Sequence, residues 1–241
     1  LQKRKIKGKK VICTIHHIDF EKFDDKEKSE FYKRDKFVDF YHTVSFKTKE
    51  QLETLTNKKI YVIPFWINQD IFFDIDKKLK LREKYGIKKD SYIIGSFQRD
   101  TEGSDLKSPK LSKGPDRFLK IVLEMKKQKP NIEILLTGKR RNYLIENFKK
   151  NNIPFYYFEM VNYKDLNELY NLLDMYIVAS RVEGGPRSIF ECAITNTPII
   201  STDVGFASSI LSPKSIYQID NFELAEPDVH YAREKVLEYE I

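Results

Sequence analysis

The 241-residue chain has little that would staple it, anchor it in a bilayer or make it repetitive. It has two cysteines, Cys13 in a strand pattern and Cys192 in a helical one. Two thiols make no disulfide framework, and both are expected to be buried and free rather than bridged or bound to metal. No stretch approaches the roughly 18 consecutive apolar residues that a membrane-spanning helix needs. Leu1 to Lys7 are basic but lead into no apolar core, so no secretory leader is read there. No repeat of fixed period is evident, which excludes a stacked-repeat architecture.

Charge of one sign is also not concentrated. Lys and Arg total 43 against 36 Asp and Glu, a formal net charge of +7, but the lysines are interleaved with acids along the whole length. With no stripe of basic residues and no recognisable nucleic-acid module, nucleic acid is not expected as a partner. Lys3 to Lys10 is the exception, read as a solvated approach to a strand or as a peripheral contact with an anionic membrane surface. One basic run holds a protein to a membrane only marginally. The expected location is cytoplasmic, with a peripheral place on the inner membrane face as the extension of that reading. Hydrophobic residues make up 41% of the chain, enough for one large domain or a domain and a half. There is no starting Met, and Glu238 to Ile241 fall inside a helical pattern, so the sequence is expected to be a fragment cut at both ends.

From residue 92 onward, apolar runs alternate with amphipathic stretches. Strands are expected over 92–98, 132–137, 153–158, 175–180, 198–202 and 215–219. Helices are expected over 115–127, 141–150, 163–173 and 187–195, with a short turn at 207–211. In the first helix Phe118, Ile121, Val122 and Met125 share one face, and in the third Leu166, Leu169, Tyr170 and Leu173 do. Such alternation predicts a parallel sheet covered on both faces, with ligands outside the carboxyl ends of its strands. Residues 10–63 supply a smaller α/β unit, with strands over 10–15, 37–44 and 60–63 and helices near 25–34 and 48–55. Residues 64–76 read as the crossing, Asp76 as the cap of a helix over 77–85, and Gly86 as its stop.

Glu183 to Glu191 is the most informative stretch. Two carboxylates stand eight positions apart, and Gly184, Gly185 and Pro186 follow the first. An apolar run, Met175 to Ser180, precedes them, and Ile189, Phe190 and Ala193 suit the inner face of a helix. A strand, a glycine turn and a helix start converge free N–H groups and the positive helix end, which is how phosphate is held. Carboxylates accept hydrogen bonds from sugar hydroxyls, so the combination suits a nucleotide-sugar. Taken alone, the spacing is equally compatible with an ordinary helix start.

Glu183 to Val204, closed by Thr197 to Gly205, resembles the donor-binding core of the retaining glycosyltransferases of the large group 1 family (family 4). Ile94 to Arg99 followed by Lys113 and Gly114 is similar to that family's strand ending in Arg and its Lys-Gly before a helix. Weaker likenesses lie at Thr14 to His16, Val44 and Ser45, Val62 to Pro64, and Phe72. The resemblance spans about residue 11 to 239 and implies the GT-B fold of two facing Rossmann-like domains. Residues 1–64 would be part of the amino-terminal, acceptor-side domain and 65–241 the donor-binding domain. It implies transfer of a sugar from a nucleotide-diphosphate-sugar to a saccharide or lipid-linked acceptor, with retention, with no metal and no cofactor. A fragment of this kind is expected to bind donor but not to transfer sugar efficiently alone.

Site roles follow from that resemblance. Glu183 would hold the donor sugar, and Glu191 the ribose. Arg99 and Lys113 would hold the diphosphate, where preorganised cations stabilise the departing charge. Gly184, Gly185 and Arg187 form the backbone cradle, in which Pro186 has no N–H to offer. His16 matches a family histidine near the transferred sugar. The thirteen residues from Asp100 to Ser112 are longer than the family's usual link. His16, His17 and Asp19 offer too few, too loosely spaced ligands for metal. The pair Asp74 and Asp76, the kind that binds a cation in GT-A enzymes, is read as a helix cap. Two rival classes remain: a glycosidase using paired carboxylates, and a non-catalytic nucleotide-sugar or nucleic-acid binding module.

Overall fold

The computed structural model describes residues 9–240. It is α/β, with two wholly parallel sheets. In the smaller one β1 (Ile12–Ile15), β2 (Phe40–Thr43) and β3 (Ile60–Val62) lie in that order. Between them run α1 (Asp25–Asp35) and α2 (Phe46–Glu53). Asp24 caps α1 by accepting Glu27 N–H at 2.8 Å, and Ser45 caps α2 through Thr48 N–H. The strand expected from residue 37 starts at 40, because Phe37 N–H closes the turn after α1 on Arg34 C=O at 2.9 Å. The Lys3–Lys10 run lies mostly outside the described residues.

The larger sheet carries the fold. It follows α3 (Lys78–Lys84) and comprises β4 (Tyr92–Ser96), β5 (Ile132–Thr137), β6 (Phe155–Phe158), β7 (Met175–Val178), β8 (Ile199–Thr202) and β9 (Ile216–Tyr217). The connecting helices are α4 (Pro115–Gln128), α5 (Asn142–Lys150), α6 (Tyr163–Asn171), α7 (Arg187–Ile194) and α8 (Ala207–Ile210). Strand order is β6-β5-β4-β7-β8-β9. The chain therefore winds outward from β4 in one direction, then returns to β7 and winds outward in the other. The crevice between the carboxyl ends of β4 and β7 is the switch point, where ligands of such sheets bind.

Period-2 burial explains why the strands stay put. On β7, Met175 and Ile177 enter one core and Tyr176 and Val178 the other; on β5, Ile134 and Leu136 lie opposite Leu135. Both faces are covered, as a parallel sheet requires. The chain then forms α9 (Val229–Val236), capped by Asp228 on Tyr231 N–H at 3.1 Å. Beyond it Tyr239 C=O accepts Ile67 N–H at 3.0 Å, tying the end of the described chain to the crossing between the sheets.

Two expectations are corrected. Asp76 is not a cap: α3 begins after Lys77 without a side-chain cap, and the nearby Asp74 accepts from Asn196 Nδ2 at 2.7 Å. Cys192 is buried and free, but Cys13 is only half-buried, because β1 lies at the edge of its sheet.

Candidate active site

The exits of β4 and β7 are tied together before any candidate residue is reached. Phe97 N–H donates to Tyr176 Oη at 2.9 Å, fixing the first residue beyond β4 to the neighbouring strand. Three residues later Asp100, 2% exposed, accepts Arg141 Nε at 3.1 Å and Tyr143 N–H at 3.2 Å. Arg141 is fully buried and also donates to Ser96 Oγ and to Gln98 C=O. Burial pushes the Asp100 carboxyl up to about 6, opposed by the Arg141 charge. Between these buried anchors Arg99 is exposed, with no side-chain hydrogen bond or ion pair among the described residues. Arg141 was not singled out from the sequence, where it reads only as the start of a helix.

The long link after Asp100 is an excursion that closes on itself. Thr101 bridges antiparallel to Pro109, Glu102 N–H donates to Ser108 C=O at 2.9 Å, and Lys110 N–H to Asp100 C=O at 2.8 Å. The chain therefore leaves and returns at nearly the same place, and the extra length does not displace Lys113. Gly114 follows with φ +63°, and a Cβ there would lie 1.8 Å from Ala179 C=O. Only glycine lets this turn sit against the end of β7. Lys113 thereby reaches Glu183, with which it forms an ion pair, while Ser180 Oγ donates to the other Glu183 oxygen at 2.9 Å. Glu183 is almost covered, its side chain 8% exposed.

Gly184 and Gly185 are needed for two different approaches. A Cβ on Gly184 would stand 1.9 Å from His16 C=O, and one on Gly185 would enter the Phe206 ring. The first contact seats the end of β1 on the loop after β7, so the two sheets meet at this loop. Lys47 Nζ adds a bond to Asp203 Oδ2 at 2.7 Å, and Thr48 Oγ1 one to His16 C=O at 3.3 Å. Pro186 is the residue before the first turn of α7 rather than within it, and no side chain caps that end. The Arg187 and Ser188 N–H groups, unpaired by helix geometry, therefore point out of the helix start. The Arg187 side chain is exposed.

Glu191 lies inside α7, 8% exposed, and accepts Tyr170 Oη–H at 2.7 Å. Burial raises its pKa, while Tyr170 and Arg187 pull it down. One oxygen is thus committed to Tyr170, whose place on the apolar face of α6 gives no sequence sign of this contact. His16 contributes its backbone to the Gly184 contact. His17 is the neighbour whose ring feels Glu183 and Lys113; burial lowers its pKa, Glu183 opposes that, and Lys113 lowers it further. Asp19 lines a cleft of about 230 Å³ with Lys47, Gln51, Arg181, Glu183 and Asp203, and its Oδ1 is buried without a hydrogen-bond partner. Among the described residues, no group of three or more His, Cys, Asp and Glu side chains is arranged to hold a metal ion.

A switch-point crevice with a cation after one central strand, a carboxylate after the other and an open helix start is the place where open α/β sheets take their ligands, and its donors suit an anionic group. The chain belongs to the glycosyl transferases group 1 family, whose pattern matches residues 77–227, more than half its length. No curated protein matches it. Among solved structures, sucrose-phosphate synthase from Thermosynechococcus elongatus is similar with a TM-score of 0.74 at 15% identity, over 95% of this chain and 63% of that one. Anabaena HepE in complex with UDP-glucose gives 0.72 at 15% identity, over 96% and 68%. The pneumococcal O-GlcNAc transferase GtfA, in complex with UDP and GlcNAc, gives 0.66 at 15%, over 95% and 49%. These similarities establish the GT-B fold, and the chain spans about half to two thirds of the length of these proteins.

Proposed function

We propose that the crevice between β4 and β7 holds a nucleotide-diphosphate-sugar and that the whole protein transfers its sugar, with retention and without a metal ion, to a hydroxyl of a saccharide or lipid-linked acceptor. The observation that carries this reading is the convergence of Arg99, Lys113 and the uncapped start of α7 on one edge of the sheet. Family membership and the UDP-glucose in HepE support it.

In this reading the diphosphate lies against the Arg187 and Ser188 N–H groups, with Arg99 and Lys113 over its oxygens. Charge accumulating there as the glycosidic bond breaks meets donors already in place. Glu183, held by Lys113 and Ser180, accepts from the hydroxyls of the sugar. The free oxygen of Glu191 accepts from ribose, its other oxygen being fixed by Tyr170. The acceptor enters by the cleft that Asp19, Lys47, Gln51 and Glu183 line. A glycosidase is disfavoured, since one of the two carboxylates it would need, Glu191, is buried and hydrogen-bonded to Tyr170.

The test is product stereochemistry. A panel of nucleotide-sugars is incubated with the whole protein and simple glycoside acceptors in chelator, and the anomeric configuration is read by NMR. Transfer with retention is expected. An inverted product, or transfer only on adding a divalent metal, would overturn the reading.

A further inference from the structure

Lys110 returns from the Asp100–Lys110 excursion directly beside the site. Its N–H is bonded to Asp100 C=O, and its C=O accepts Lys113 N–H at 2.8 Å. Its side chain is only 20% exposed, and its sole ion partner among the described residues, Glu102, stands at 3.9 Å with its own side chain 49% exposed. Burial lowers the Lys110 pKa, Arg99 lowers it further, Glu102 opposes, and Lys113 and Lys22 add to the lowering. Arg99, Lys110 and Lys113 thus press on one another where the donor reading places two phosphates. A half-buried ammonium with so loose a partner among like charges is unfavourable unless an anion lies against it.

We infer that Lys110 is a third diphosphate-binding cation, delivered by the excursion between β4 and α4, and that it makes the site complementary to a doubly charged diphosphate. The inference rests on the donor-site reading above. Charge balance supplies the reason. Because the Lys113 charge is balanced by Glu183, Arg99 would bring the only uncompensated positive charge to a diphosphate bridge carrying two negative charges. Lys110, held only loosely by the half-exposed Glu102, adds the second positive charge once it turns from that carboxylate to the phosphates. In the free protein Lys110 leans toward Glu102; with diphosphate present it turns to the phosphate oxygens, as a flexible point charge can.

Titration calorimetry with uridine and UDP, in chelator at two salt concentrations, tests this on the parent chain, Lys110→Met and Glu102→Gln. For Lys110→Met, UDP affinity is expected to fall about ten-fold, with uridine affinity and the thermal midpoint unchanged. Glu102→Gln is expected to do the opposite and strengthen UDP binding about two- to three-fold, because it frees Lys110. If the pair only held the excursion in shape, both variants would weaken binding together, and that result would overturn the inference. Parent affinity for UDP retained in Lys110→Met would also overturn it while leaving the donor site standing. No preference of the parent chain for UDP over uridine would remove both.

Discussion

Lys113 and Glu183, seventy positions apart in sequence, meet as an ion pair across the mouth of the β4–β7 crevice. The pair exists because Gly114 turns against Ala179 and because Ser180 orients the carboxylate. Its two members are assigned to opposite ends of one donor molecule, phosphate and sugar, so breaking it affects the two ends differently.

Glu183→Gln is therefore expected to release Lys113 and tighten binding of a nucleoside diphosphate by about two- to ten-fold, the range of a partly buried charge contact. The same variant of the whole protein should lose most of its sugar transfer. Weaker diphosphate binding in Glu183→Gln would show that the carboxylate supports the phosphate site instead of competing for its lysine.

The contact of Gly184 with His16 predicts a coupling between the sheets. In Gly184→Ala a methyl would have to displace the His16 carbonyl, at a cost of about 1–3 kcal/mol. For a chain of this size that lowers the thermal midpoint by several degrees, on the order of 2–4 °C per kcal/mol. An unchanged midpoint would mean that the loop after β7 and the end of β1 do not pack as described.

Arg141 and Asp100 should behave as a buried pair. Arg141→Met leaves an uncompensated carboxylate and is expected to cost about 3–5 kcal/mol. Adding Asp100→Asn should recover a large part of that. If the double variant is no more stable than Arg141→Met in denaturant unfolding, the pair is not the anchor of the Arg99 loop.

Glu191 gives a pH signature. Its folded pKa is raised by burial, so the ionised form is penalised at pH values above it, and the penalty vanishes below the unfolded value near 4.5. Glu191→Gln keeps an acceptor for Tyr170 and should gain stability over the parent at neutral pH. That advantage should shrink as pH falls toward 4.5. A difference between variant and parent that is flat in pH would contradict the burial argument.

Much of this was legible because parallel strands buried on both faces must be largely apolar, and Met175–Val178 and Ile134–Leu136 are apolar runs. The Glu183–Glu191 turn was legible for the same reason: glycines, a strand before and an apolar helix face after admit few local structures. Other features depend on distant partners. Arg141 reads as an ordinary helix start, and only the fold brings Asp100 and Ser96 to it. Lys110 is one lysine among many until the excursion closes and returns it to Asp100, next to Arg99. Asp76 misled because an acidic residue ahead of an amphipathic helix is the usual cap, yet here Asn171 Nδ2 and Oδ1 hold Phe73 C=O and Ile75 N–H, and the helix starts beyond their reach. His16 and His17 are adjacent in a strand exit, so sequence could not say which ring faces Glu183.

The most direct measurement compares nucleoside with nucleoside diphosphate binding in chelator, for the parent chain and for Arg99→Ala. A switch-point site built on Arg99, Lys113 and the start of α7 predicts diphosphate binding at least ten-fold tighter than nucleoside without metal. Arg99→Ala should remove about ten- to a hundred-fold of the diphosphate affinity and leave the nucleoside unaffected. Diphosphate binding that chelator abolishes, or that Arg99→Ala leaves intact, would contradict the account.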